Sequence, residues 1–352
     1  MALKIYPLQR RRFIQQSALA AAALAATPSI NSYGRNDEII LGHNIKRYRI
    51  NTDWGKLDFS RYPVKDCHEM VQDSKGRIIL LTNETQNNVI IYNKQGKLIT
   101  TWGKEYPGAH GLTLFNENGE EVLFICDNNR HQVIKTTLDG RVLLTLNYPK
   151  ETGQYSKADE YIPTETTIAD NGDIYVADGY GKDFIIQYNA KGNYIRHFGG
   201  RGNKDEHLLN AHGVCIDKRN TASLTLIVTS RQQNAFKRYT LEGKYIDTIP
   251  LPGAWVCRPV IHGEYLYAAV LQSSSNLWKQ SGFVTIMDKN FKVVSNIAGS
   301  EPVYNNGKLE EMYQTVKTFE YPHDVCIDDE ENLYVAQWNS GHVYPYKLQP
   351  VV

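Results

Sequence analysis

From Ala109 to Leu146 the chain passes through four short runs rich in Val, Ile, Leu and Thr. It opens them on a histidine and breaks them at polar turns, Asn116-Glu117-Asn118-Gly119 and Leu138-Asp139-Gly140. The same pattern then starts again elsewhere. His68 leads to Ile78-Ile79-Leu80-Leu81, Val89-Ile90-Ile91-Tyr92 and Gly96-Lys97-Leu98-Ile99. Pro163-Thr164 leads to Ile174-Tyr175-Val176-Ala177, Ile185-Ile186-Gln187-Tyr188 and Gly192-Asn193-Tyr194-Ile195, and His212-Gly213-Val214 to an equivalent series ending near Ile246. A degenerate unit begins at Arg258-Pro259, and a last one at His323-Asp324-Val325. A unit of this kind cannot bury its apolar faces alone, so it must stack on copies of itself.

Six starts at intervals of roughly 40 to 65 residues, each with about four strands, fit an all-β, six-bladed β-propeller with four-stranded antiparallel blades. Few segments show a 3.6-residue apolar period, which excludes a helical repeat. The final unit has room for only three strands. The segment around Asn44 to Thr52 is expected to supply the fourth, closing the ring and removing free sheet edges. Residues 67–352 are then the propeller and 27–66 an arm ending in the closing strand. The longest insertions, 148–161, 199–210 and 299–320, each precede a first strand and so belong to one mouth of the ring, where sites are usually built.

Gln9-Arg10-Arg11-Arg12-Phe13-Ile14-Gln15, followed by the apolar stretch Ser17 to Ala26, resembles a twin-arginine export signal, so residues 1–26 are expected to be removed on export to a periplasmic or extracellular location. Ten Ala/Leu-rich residues fall short of the ~20 that span a bilayer, and no later stretch is long enough either. The formal net charge of +1 gives no basis for nucleic-acid binding, and a monomer is expected. Five cysteines lie in or beside strands without framework spacing, which suits small apolar core residues.

His110, His212 and His323 hold the same repeat position in the second, fourth and sixth units. In a closed six-fold ring they stand about 120° apart around the axis, a three-imidazole set with an open position of the kind catalytic zinc uses. His68 holds the equivalent position in the first unit and is an additional candidate ligand. The third unit has Thr164 there and the fifth Arg258. The competing reading is structural: a histidine at a strand start as a hydrogen-bonding residue, Tyr180 as a packed channel-wall aromatic, Arg231 as an inter-blade ion pair. Arg231 and Arg258 have the guanidinium geometry that binds an anionic group in bidentate fashion.

Ala109-His110-Gly111-Leu112, Val176-Ala177-Asp178-Gly179-Tyr180, Ala211-His212-Gly213-Val214 and Tyr321-Pro322-His323-Asp324-Val325 resemble the catalytic core of peptidylglycine α-hydroxyglycine amidating lyase, a six-bladed propeller related to the NHL-repeat group. The similarity runs over about residues 66–347. It implies zinc on His110, His212 and His323, catalytic roles for Tyr180 and Arg231 and a substrate-facing position for Tyr321. It also implies a structural calcium ion held by Asp324 and the backbone carbonyls of Met70 and Leu112. Asn83 stands where the family's substrate-carboxylate arginine falls, Tyr321 replaces a methionine, and Gly181 replaces a disulfide cysteine. The function expected is thus an exported metal-dependent lyase acting on a small anionic or α-hydroxy substrate or peptide. The alternative is a non-catalytic NHL-type propeller binding a glycan, peptide or protein. A calcium-dependent lactonase would want Glu, Asn and Asp at the inner strand starts, where histidines stand instead.

Overall fold

A computed structural model of the chain describes residues 39–273 and 281–351. The export signal expected over residues 1–26 and the first part of the arm, residues 27–38, lie outside the described residues. Antiparallel sheets follow one another as the blades of a six-bladed propeller. Blade one comprises Cys67–Gln72, Ile78–Thr82, Val89–Tyr92 and Leu98–Trp102. Blades two, three and four repeat this order with inner strands Ala109–Glu117, Glu165–Ile168 and Val214–Asp217. The sixth blade starts at Pro322–Ile327, and its third strand, Tyr346–Pro350, pairs with Lys46–Asn51 from near the chain start. Ile40–His43 then adds a fifth strand outside it.

Periodicity explains the burial. Second strands such as Ile78–Thr82 and Ile174–Ala177 are packed by neighbouring blades on both faces and are buried at every position, hence their unbroken apolar sequence. Fourth strands such as Leu98–Trp102 are half-exposed. Blades lock together through a repeated contact, in which a large side chain from the preceding outer segment covers the glycine of the next blade's third-to-fourth-strand turn. Trp102 lies over Gly140, where an added Cβ would come within 2.6 Å of the indole and φ is +93°, and the Trp102 Nε1–H donates to Leu138 O at 2.9 Å. Phe198 covers Gly243 in the same way. Gly140→Ala, which meets both the left-handed backbone and the ring, is expected to cost roughly 1–3 kcal/mol in denaturant unfolding. An unchanged midpoint would show that the turn relaxes freely.

Blade five departs from the pattern. Its inner strand is split into Ala254–Val256 and Val260–His262, both paired with Tyr265–Ser273. Pro259 lacks the N–H that a continuous ladder needs. The repeat register also shifts by one from the sequence-based expectation. Thr164 N–H bonds Ala177 O and Cys257 N–H bonds Ala269 O, each at 2.8 Å, so Cys257, not Arg258, is the fifth blade's counterpart of the histidines. Arg258 is instead level with Glu165 and Asp324, which face Ala177 and Ala336.

All five cysteines are free and four are buried, Cys215 being partly exposed. No helix among the described residues is long and apolar enough to cross a membrane.

Candidate metal centre

The first strands deliver two tiers of side chains to the axis. In the upper tier the rings of His110, His212 and His323 are mutually 4.7–4.9 Å apart by centroid. His68 joins them, 4.8 Å from both His110 and His323. All four are buried. Three imidazoles binding one tetrahedral ion at about 2.0–2.1 Å would hold their centroids about 5 Å apart, so the spacing suits a shared ion. By ligand atoms, the group that lies within 4.8 Å of one another is His68, His110 and His323, with His68 in place of the expected His212.

Backbone carbonyls set the ring orientations. His110 Nδ1 donates to Thr164 O at 2.8 Å and His323 Nδ1 to His68 O at 3.0 Å, leaving each Nε2 with its lone pair toward the axis. This is the outer-shell arrangement metal-binding histidines use. His323 Nε2, His212 Nδ1 and His68 Nδ1 are buried with no hydrogen-bond partner among the described residues, a costly state for a polar atom unless a ligand takes it up. The residues fit a transition metal.

Burial pushes all four imidazoles below their usual range, His68 to about 3. They are therefore neutral near pH 7, as metal ligation requires. Unfolded histidines titrate near 6.5, so in metal-free protein the favourable contribution of these neutral rings is present above that pH and is lost as pH falls below it. Each histidine is expected to withdraw on the order of 1.4 kcal/mol per pH unit in the acid range. Urea unfolding of chelator-treated protein between about pH 7 and 5 measures this, and a flat profile would show that the rings take up protons inside the fold.

Tyr180 sits over the tier, 38% exposed as a residue, with its hydroxyl 3.2 Å from His110 Nε2 and 3.1 Å from His212 Nε2. Because His110 carries its hydrogen on Nδ1, the Tyr180 O–H donates to His110 Nε2. The loop bearing Tyr180 is held by Asp178, which accepts from Tyr155 Oη at 2.6 Å and from the Ile162 and Lys182 N–H groups at 2.7 and 2.6 Å. Burial nevertheless pushes the Asp178 carboxyl up to about 7. Two of the rim insertions brace this loop: Tyr155 comes from the first, and Asn210 Nδ2 of the second donates to Gly179 O at 2.7 Å. Burial raises the Tyr180 phenol, and the nearby Arg231 charge opposes the rise. Arg231 itself is buried, donating to Val256 O at 3.2 Å and to Cys257 Sγ at 3.1 Å. Tyr321 packs with Trp338, 5.7 Å between ring centroids, against Cys257 and Leu271. Asn83 is engaged with Asp66, exchanging Nδ2 to Oδ2 at 2.9 Å and accepting Asp66 N–H at 3.0 Å.

The lower tier corrects two expectations. Arg258 is not placed to bind substrate: it is buried beneath the histidines, with Nε and Nη2 on the Asp324 carboxylate at 2.7 and 2.9 Å. Its Nη2 also donates to Met70 O at 2.8 Å and its Nη1 to Leu112 O at 2.9 Å, and Glu69 Oε2 forms an ion pair with Nη1 at 3.1 Å. Met70 O, Leu112 O and Asp324 are the groups expected to hold calcium. With a guanidinium already on all three, the ion does not fit.

Glu69 and Glu165 were not singled out from sequence, because a glutamate beside a strand start reads as an ordinary surface residue. Burial raises both carboxyls against the pull of Arg258, and the neighbouring Glu165 raises Glu69 further.

Comparison with known proteins agrees with this architecture. Part of the chain is similar to peptidyl-alpha-hydroxyglycine alpha-amidating lyase 1 of Drosophila melanogaster, 29% identical over 162 residues, 45% of this chain and 27% of the relative. A probable peptidyl-alpha-hydroxyglycine alpha-amidating lyase of Caenorhabditis elegans is 29% identical over 156 residues, 44% of this chain and 40% of the relative. The match thus spans well under two thirds of either relative. Among solved structures, a gluconolactonase from Xanthomonas campestris superposes with a TM-score of 0.60 at 11% identity, covering 90% of this chain and 95% of its own. Virginiamycin B lyase from Staphylococcus aureus, in a catalytically inactive form with quinupristin, gives 0.54 at 16%, covering 86% and 100%. At these identities the two share the fold. The DUF5128 family, described as a 6-bladed beta-propeller, matches residues 163–344, just over half of the sequence, and the chain belongs to it.

Proposed function

We propose that this chain is an exported, metal-dependent lyase that cleaves a carbon–nitrogen bond next to a hydroxyl in a small anionic or peptide substrate, with zinc on His110, His212 and His323. One observation carries the reading: three imidazoles from alternate blades meet with equal spacing, and a tyrosine hydroxyl lies 3.1–3.2 Å from two of them. The likeness to relatives named amidating lyases supports the substrate class.

A metal ion in that tier supplies Lewis-acid activation of the substrate hydroxyl at neutral pH. The protein's own groups do the rest. Thr164 O and His68 O fix two of the rings, so the ligand atoms are preorganised. Tyr180 Oη is the group in reach of the hydroxyl proton. As that proton leaves, the C–O pair becomes a carbonyl, the C–N bond breaks, and the nitrogen receives a proton, which Tyr180 can return. Free Tyr180 is a weak base because burial raises its phenol. Positive charge close to it, starting with Arg231, is what brings the phenolate within range. Arg231 and the Tyr321–Trp338 wall bound the space beside it.

Metal analysis of the purified protein, with assay of a peptide ending in α-hydroxyglycine, tests the reading. About one transition metal ion per chain together with amide formation is expected. A metal-free protein that stays metal-free after loading would sink it. One observation favours the second reading, a binding propeller: Asn83, tied to Asp66, stands where an arginine would clamp a substrate carboxylate.

A further inference from the structure

The lower axial tier has the composition of a hard-cation site. Two backbone carbonyls, Met70 O and Leu112 O, and the carboxylates of Asp324, Glu69 and Glu165 come from blades one, two, three and six and surround one point. All-oxygen sets of this kind suit a divalent ion such as calcium. Here that point is filled from blade five.

We propose that Arg258 is a built-in cation, covalently part of the chain, that takes the place of a structural divalent ion and leaves a latent calcium site beneath it. A guanidinium has five N–H donors in a planar fork. Four of them have an acceptor: Nε on Asp324 Oδ1, the two of Nη2 on Asp324 Oδ2 and Met70 O, and one of Nη1 on Leu112 O, while Glu69 Oε2 forms an ion pair with Nη1 at 3.1 Å. The hydrogen bonds, at 2.7–2.9 Å, have the lengths of charge-assisted ones.

Two local features deliver the side chain. The inner strand of blade five is interrupted at Cys257-Arg258-Pro259, the one break of this kind among the six inner strands of the described residues. Facing it is Gly213, where an added Cβ would stand 2.4 Å from Arg258 Cα, so the close approach needs glycine there. A tethered cation cannot dissociate, and it ties five blades together in all buffers. The inference is independent of what the histidines bind, since calcium prefers oxygen to imidazole.

Elemental analysis and thermal unfolding test it directly. Wild-type protein is expected to carry no stoichiometric calcium and to show the same Tm with and without millimolar CaCl2. Arg258→Ala, with its carboxylates left facing one another, is expected to melt lower and to regain several degrees as CaCl2 is added, because an ion that binds only the folded state stabilises it. Arg258→Ala combined with Asp324→Asn is expected to lose that response. Stoichiometric calcium in the wild type, or a calcium-dependent rise in its Tm, overturns the proposal. So does an Arg258→Ala protein indifferent to calcium. If Arg258→Ala does not fold in plain buffer, refolding with CaCl2 present decides: recovered folded protein supports the latent site, and none overturns it.

Discussion

His110→Ala is expected to abolish stoichiometric metal binding. Its ring lies within 4.7–4.8 Å of the other three imidazoles by centroid, so it belongs to every three-histidine set that can form here. Loss of an outer-shell partner costs a site about 10–100-fold in affinity, and loss of a direct ligand should exceed that. Lyase activity should fall in step. The metal-free variant should also unfold no more easily than metal-free wild type at about pH 5, since one acid-sensitive buried ring has gone. Parallel metal titrations of His68→Ala and His212→Ala then rank the remaining rings. If His110→Ala retains full metal, the axial centre is not where the ion sits.

Tyr180→Phe is expected to lower kcat by about 10²- to 10⁴-fold, the usual contribution of a positioned acid–base group. Metal content and Tm should be nearly unchanged, because the ring is partly exposed and its loop is anchored by Asp178, not by the phenol. A rise in KM alone, with kcat preserved, would make Tyr180 a binding residue. Loss of metal in Tyr180→Phe would show instead that the hydroxyl helps to hold His110 and His212 in place.

What could be read from the sequence depended on repetition. The four-strand period and the turn glycines recur, so the propeller and its blade boundaries were legible, as was the axial recurrence of His68, His110, His212 and His323. Blade five breaks the pattern, and there repetition is no guide. Pro259 interrupts its inner strand, so Cys257 holds the histidine level and Arg258 lies one residue below it, on the Asp324 carboxylate and away from the substrate space. Glu69 and Glu165 carry no motif. Their importance comes from neighbours distant in the chain, Arg258 above all, and only closure of the ring brings those together. Ranking His68 against His212 as a third ligand likewise depends on where each nitrogen points, which repeat position does not encode.

The hydrogen bonds between Lys46–Asn51 and Tyr346–Pro350, extended by Val351 N–H to Arg47 O at 2.9 Å, join segments made about 300 residues apart. Bringing such distant ends together costs about 3 kcal/mol more in loop entropy than a ten-residue hairpin. That cost falls due only when synthesis is nearly over. Until then the early strand has only Ile40–His43 on its outer side, and its other, bare amide edge is open to any other chain nearby. Deleting residues 346–351 should therefore leave the first five blades largely able to form, yet turn the product into a protein that seeks its missing strand in a second copy.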